Sequence, residues 1–219
     1  MTTYIQNHLR EFRPLRGGVA IYNRQAAEYG TLGFIARPAA DAPNQDERWI
    51  VTAYHVLLGT QRRTAADGEE LYQPYDSDPA RAVARFVVGR ADAATDCATC
   101  RIVAGIAGAG EILGLGRVGG PIEPARGMYV TKSGVATGVT EGIIEEVRDD
   151  RVYIRTLDGF PEDYSLSDTG DSGALWVDRD THRAVALHTR GNAGGGEFAI
   201  ALPIELVLTT LGLEVVTEA

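Results

Sequence analysis

Three short segments of the chain carry residue types that can cooperate in nucleophilic catalysis. In WIVTAYHVL an apolar run ends in small residues and a tyrosine, followed by His55. In DCATCRI, Asp96 opens another apolar run. In TGDSGALWV, Ser172 sits inside a glycine turn that enters a third run. A serine hydroxyl is a weak nucleophile at neutral pH. It needs an imidazole to take its proton, and a carboxylate on the other ring nitrogen to set the tautomer and stabilise the imidazolium. Gly170 has access to backbone angles closed to other residues, so its N–H can converge with that of Ser172 on a developing oxyanion. One such donor contributes about 3–4 kcal/mol in the transition state. The chemistry these residues suit is acyl transfer.

Each role has competitors. His188 follows the serine rather than preceding it, His8 lies near the N-terminus, and His182 falls in a polar turn, DRDTHR. Asp92 competes with Asp96 for the acid, but only Asp96 opens the apolar run. Asp171 belongs to the glycine turn itself.

The elements that must hold these residues read as strands. Runs of about four to seven residues rich in Val, Ile, Tyr and Phe recur at close intervals: GVAIYN, GTLGFIARP, RWIVTAY, ARFVVG, MYVTKSG, GIIEEV, RVYIRTL, GALWVD, RAVALHT and EFAIALP. Gly makes up 26 of 219 residues, well above the usual ~7%, as expected of a chain with many tight turns. Such spacing is that of a sandwich or barrel rather than of βαβ units. Residues 60–82 read as a long polar surface loop, and 104–127 as a Gly- and Ala-rich connector between two sets of strands. Ile5, Leu9 and Phe12 have helical spacing, which predicts a short amphipathic helix over 3–12. PIELVLTTLGLEV begins with Pro and has one apolar face, which predicts a C-terminal helix.

The order His, Asp, Ser and the blocks VTAYHVL, DCATCRI and TGDSGALW resemble the chymotrypsin/trypsin-like serine peptidase clan, and within it the disulfide-free intracellular bacterial members. Matching segments run from about Gly17 to Leu213. The resemblance implies an all-β fold of two packed six-stranded Greek-key barrels with a C-terminal α-helix: a lead-in over 1–16, a first lobe over 17–110, a second over 111–202, and a helix and tail over 203–219. It implies a serine endopeptidase with His55, Asp96 and Ser172 as the triad, Gly170 and Ser172 as the oxyanion donors, and an acyl-enzyme intermediate. The pocket for the residue before the scissile bond then falls on Leu166, Ser167, Thr169, His188, Thr189, Arg190 and Gly191. Leu166 stands where Arg/Lys-specific members carry Asp. His188 and Ser167 stand where glutamate-specific relatives carry His and Ser, so an acidic preference is the expectation. RGGVAIYN lacks the apolar pair of an activation site, so the enzyme is expected to fold active or to be gated by a partner. Two other readings compete: a catalytically silent binding module of the same fold, and an α/β-hydrolase, which would need a glycine where Ala174 stands.

Composition narrows the partners. A net charge of −9 and no basic run argue against nucleic acid. Cys97 and Cys100 lie three apart in a strand, on opposite faces, and are expected to be reduced, buried thiols rather than a disulfide. Four metal ligands do not gather in the sequence, so no metal and no organic cofactor is expected. No run of 18 apolar residues is present, so no membrane contact is expected either. The expected partner is a protein or peptide substrate, including a dedicated effector protein, in the cytoplasm.

Overall fold

A computed structural model describes residues 7–59, 65–74, 81–161, 163–191 and 197–218. The apolar runs form strands: β1 (Leu15–Gly17), β2 (Ala20–Asn23), β3 (Glu28–Thr31), β4 (Phe34–Pro38), β5 (Trp49–Ala53), β6 (Glu70–Tyr72), β7 (Ala84–Asp92) and β8 (Cys97–Ile102). A short helix, α1 (Tyr54–Leu58), follows β5 directly. Next come β9 (Gly108–Ile112), β10 (Gly116–Arg117) and β11 (Gly119–Pro121). The second half holds β12 (Tyr129–Gly134), β13 (Gly138–Arg148), β14 (Arg151–Arg155), β15 (Leu175–Asp178), β16 (Arg183–Gly191) and β17 (Phe198–Pro203). The helix α2 (Ile204–Leu211) and the strand β18 (Leu213–Val215) end the chain. Among the described residues, no helix is long and apolar enough to cross a membrane.

The later strands run in the order β16-β15-β12-β13-β14-β17, and β17 pairs again with β16, which closes a six-stranded barrel. The earlier ones form a sheet in the order β18-β4-β5-β8-β7-β6-β2-β3. Its ladder is not joined end to end, unlike the closed barrel expected. Instead β3 and β4 are two halves of one stretch bent at Leu32-Gly33, the first half pairing with β2 and the second with β5. The seam of this first barrel is therefore the bent chain itself.

Alternation along the strands separates three cores. Ile50, Ala98 and Cys100 point into the first barrel with Ile21, Leu71 and Phe86. From the opposite faces of the same strands, Trp49, Val51 and Cys97 join Leu175, Leu187 and the α2 residues Val207 and Leu211 between the barrels. The second barrel packs Val130, Ile144, Ile154, Trp176 and Val185. Each aliphatic side chain so buried contributes about 1.5–3 kcal/mol, and the middle cluster holds the two lobes in register. Both cysteines are free and buried, one on each side of β8.

The helix after Pro203 buries Ile204, Val207, Leu208 and Leu211. It ends at Gly212, whose φ of 64° is left-handed and whose N–H bonds to Leu208 O and Thr209 O. Other expectations need correction. The 60–82 segment is not one loop: residues 60–64 and 75–80 lie outside the described residues, but β6 lies between them with Leu71 and Tyr72 buried. The 104–127 connector holds β9, β10 and β11, and β1 pairs with β9 in parallel. Of the helix expected over 3–12, residues 1–6 lie outside the described part and only 7–8 are helical. Leu9 is exposed, while Phe12 packs on the first core. The chain end is not an appended tail, since β18 pairs with β4 of the first sheet.

Candidate active site

His55 and Asp96 are brought together by strand register. In the β5–β8 ladder Ala53 pairs with Cys97, so the residues just past that pair, at the start of α1 and at the end of the β7–β8 turn, are neighbours. Tyr54 N–H donates to Asp96 O (3.1 Å) and His55 N–H to Asp96 Oδ1 (3.2 Å). The ring nitrogen Nδ1 of His55 lies 3.0 Å from each carboxylate oxygen of Asp96. A carboxylate only accepts, so the Nδ1 proton points to it and Nε2 keeps its lone pair. Asp96 has a φ of 57°, a left-handed angle that aspartate tolerates better than most residues. Asp92 does not meet the histidine. Its Oδ1 accepts Ala94 N–H, Thr95 N–H and the Thr95 hydroxyl (2.8, 2.8 and 3.0 Å), which folds the turn that presents Asp96.

Ser172 lies on a turn pressed against the first barrel. Thr31 N–H donates to Ser172 O (2.9 Å), the Thr31 hydroxyl to Gly170 O (2.8 Å), and Gly173 N–H to His188 O (2.8 Å). Gly170 and Gly173 have φ of 111° and 91°, which only glycine adopts readily. A Cβ on Gly173 would also collide with Thr52 Oγ1 and Thr31 O. Among the described residues, neither the Gly170 nor the Ser172 N–H meets an acceptor. The Ser172 hydroxyl is directed at Thr189 O, 3.5 Å away. Its backbone and α1 converge on one point: a Cβ placed on Gly30 would touch both Val56 and Ser172 O.

Asp171 anchors this turn, and its partner is one that reading the sequence missed. Its carboxylate accepts from Lys132 Nζ (2.9 Å), the Thr137 hydroxyl (2.6 Å), and the N–H groups of Ala136, Thr137 and Asp168 (2.9, 3.2 and 3.1 Å). Both charged side chains are fully buried. Burial pushes the Asp171 carboxyl up, but the Lys132 charge and the hydrogen bonds outweigh it and hold it down at about 2. Burial pulls the Lys132 ammonium down, and Asp171 opposes that. Lys132 was detectable in MYVTKSG: it shares the inward parity of Val130, and its ammonium lies 5.4 Å from the Trp176 ring centre.

The residues expected to line a substrate pocket are placed unevenly. Leu166 belongs to the second core and is fully buried. Ser167 is also buried, with its hydroxyl 3.5 Å from Phe198 O. Thr169 is exposed, and the Thr189 hydroxyl donates to Ile200 O (3.2 Å). Arg190 and Gly191 are exposed, and residues 192–196 lie outside the described part. His188 is 1% exposed. Trp176 Nε1–H donates to its Nδ1 (3.3 Å), which leaves the ring proton on Nε2. Burial first, and then the Lys132 charge, push its pKa down to about 3. His188 is a neutral imidazole, not a second base beside Ser172.

A cleft of about 660 Å³ opens beside His55 and Asp96, walled by Tyr54 and Ala94 on one side and by Arg151, Tyr153 and Arg190 on the other. A larger cavity of about 880 Å³, lined by Glu47, Arg48, Arg85 and Arg101 among others, includes neither His55, Asp96 or Ser172 nor any of the expected pocket residues.

No family model and no curated protein sequence matches the chain. Solved structures do. A glutamic acid specific serine protease that utilizes a histidine triad in substrate binding is 21% identical, with a TM-score of 0.68, covering 92% of this chain and all of its own. Thermobifida fusca Protease A is 20% identical with a TM-score of 0.63, covering 93% and 98%. A Cellulomonas bogoriensis chymotrypsin is 19% identical with a TM-score of 0.65, covering 93% and 98%. At such identities the likeness establishes the fold, which is chymotrypsin-like.

Proposed function

We propose that this chain is a serine endopeptidase in which Ser172 attacks the scissile carbonyl, His55 takes its proton, and Asp96 holds the imidazole. The observation that carries this reading is the His55 Nδ1 contact with both Asp96 oxygens at 3.0 Å, beside a Gly-Asp-Ser-Gly turn whose strained backbone is locked from both barrels. With Nδ1 committed to the carboxylate, Nε2 is the base. The free N–H groups of Gly170 and Ser172 supply the oxyanion donors, and collapse of the tetrahedral adduct gives an acyl-Ser172 that water then hydrolyses. The buried Lys132–Asp171 pair is internal to the fold, which supports an enzyme that needs no cleaved N-terminus to order this turn. In the order of the chain, the first lobe (17–110) supplies His55 and Asp96 and the second (111–202) supplies Ser172.

The direction of the Ser172 hydroxyl favours a second reading, a silent binding module, because it points to Thr189 O rather than to the imidazole. A serine has three staggered χ1 positions, and contacts between catalytic groups often tighten only around substrate. A fluorophosphonate probe separates the two readings. Labelling that disappears in Ser172→Ala, with turnover of peptides lowered by several orders of magnitude in His55→Ala, is the expected result. Labelling that survives Ser172→Ala, or undiminished turnover in His55→Ala, would refute the triad.

The same reading extends to an acidic residue before the scissile bond. The Nε2–H of neutral His188 and the Ser167 hydroxyl, which meets Phe198 O only at 3.5 Å, are donors suited to a carboxylate. Peptides varied only at that position test it, and a preference for Leu or Phe would end it.

A further inference from the structure

The cleft beside His55 carries more positive charge than its surroundings explain. Its second wall is built from β14, β16 and β17, contributing Arg151, Tyr153, Thr189, Arg190 and Ile200. The β16–β17 ladder loses register between His188 and Arg190, a bulge of the kind that re-aims side chains. Arg190 is exposed there, and among the described residues its guanidinium has no hydrogen bond or ion pair. Arg151 donates to two neutral carbonyls, Nη1 to Asp150 O (3.0 Å) and Nη2 to Ala94 O (3.4 Å), the second bridging the cleft to the opposite wall. Among the described residues no carboxylate lies within 4 Å of either.

On this chain of net charge −9, Arg37, Arg85, Arg101 and Arg155, among others, are each paired with an acid, whereas Arg151 and Arg190 place two guanidinium groups on one wall of a single cleft. The acids nearest in sequence compensate only in part. Asp96 lines the same cleft with its oxygens turned to His55 and offsets one charge, Asp92 is held by its own turn, and Asp149 and Asp150 stand on the β13–β14 turn outside the lining of the cleft.

We propose that this cleft takes carboxylate side chains of the substrate at the positions two to four residues before the scissile bond, with Arg151 and Arg190 determining that specificity. The proposal rests on the peptidase reading, since an extended peptide acylating Ser172 would run along the Thr189–Gly191 end of β16 and bring those side chains over the cleft. It is separate from any preference at the residue next to the bond. Partly exposed ion pairs are weak singly, so the two together should discriminate about fivefold, and salt should screen them.

The test uses two peptides with the same residue before the scissile bond, one with glutamate and the other with glutamine at the three upstream positions. Binding to Ser172→Ala is read by fluorescence anisotropy, and kcat/KM with the wild type. The expected result is about fivefold tighter binding and higher kcat/KM for the glutamate peptide at low salt, shrinking in high salt and vanishing in Arg151→Gln/Arg190→Gln. Equal behaviour of the two peptides toward Ser172→Ala and the wild type overturns the subsite, while hydrolysis of both at that equal rate leaves the peptidase intact. A glutamate preference in binding with neither peptide hydrolysed supports the anionic subsite and removes the peptidase reading instead.

Discussion

Lys132→Met removes one charge from a pair sealed between β12 and the Ser172 turn. Unit charges 2.9 Å apart attract by about 6 kcal/mol at an effective dielectric of about 20, a gain largely offset by the desolvation of both groups. The variant leaves Asp171 ionised, buried and without a counter-charge, and breaking a buried pair on one side costs about 3–5 kcal/mol. Urea unfolding at pH 7 should show that loss with an unchanged m-value. The pH dependence gives a second signature. In the wild type the carboxyl is held down at about 2 against 3.8 when unfolded, so its stabilisation is full above pH 3.8 and is lost as pH falls toward 2. That stabilisation amounts to about 2.5 kcal/mol. In the variant burial is opposed only by the remaining hydrogen bonds and raises the carboxyl relative to wild type, so the deficit against wild type narrows as pH falls. Because Asp171 also holds Ala136, Thr137 and Asp168, fluorophosphonate labelling of Ser172 should slow as well. Lys132→Met/Asp171→Asn removes both charges and keeps an acceptor at the Oδ1 place for the Ala136 and Thr137 N–H groups, so it should recover much of the stability. A single variant within 1 kcal/mol of wild type, or a double variant no more stable than the single, would refute this account.

Gly173→Ala should cost several kcal/mol and abolish labelling of Ser172, since a Cβ meets Thr52 and Thr31 and the φ of 91° is strained for alanine; a folded, labelled variant would show that the turn relaxes. His188 is buried with its pKa at about 3 against 6.5 unfolded, so the unfolded chain takes up the extra proton and stability falls as pH drops below 6.5. Between pH 7 and 5 the loss from this group is about 2 kcal/mol, and comparing urea unfolding of wild type and His188→Gln at the two pH values should show it missing in the variant. The Cys97 thiol is pushed up to about 11 by burial and Cys100 is pushed higher still by complete burial; neither should react with iodoacetamide at pH 8 until urea unfolds the chain.

Much of the fold was legible because its longer strands are apolar enough to declare themselves. The runs ending at His55, beginning after Asp96 and following Ser172 are β5, β8 and β15, and the apolar stripe from Ile204 to Leu211 is a helix. The elements that escaped are those whose identity lies in their partners. The strands β9, β10 and β11 are glycine-rich and two to five residues long, and β6 is three residues between polar stretches. Such segments have no period to read, and they become strands only because a neighbour supplies acceptors and donors.

The sequence by itself determined which residue types stand beside which glycines, the two buried thiols on opposite faces of one strand, and the all-β class, since these follow from local angles and alternation. Tertiary structure decided the rest. A ladder pairing Ala53 with Cys97 brings residue 55 to residue 96 across forty positions. The middle core presses the serine turn onto Thr31 and Thr52, and folding buries Lys132 against Asp171 and re-aims Arg190 into a cleft. Contacts between residues far apart along the chain depend on strand register and burial, which no local pattern encodes.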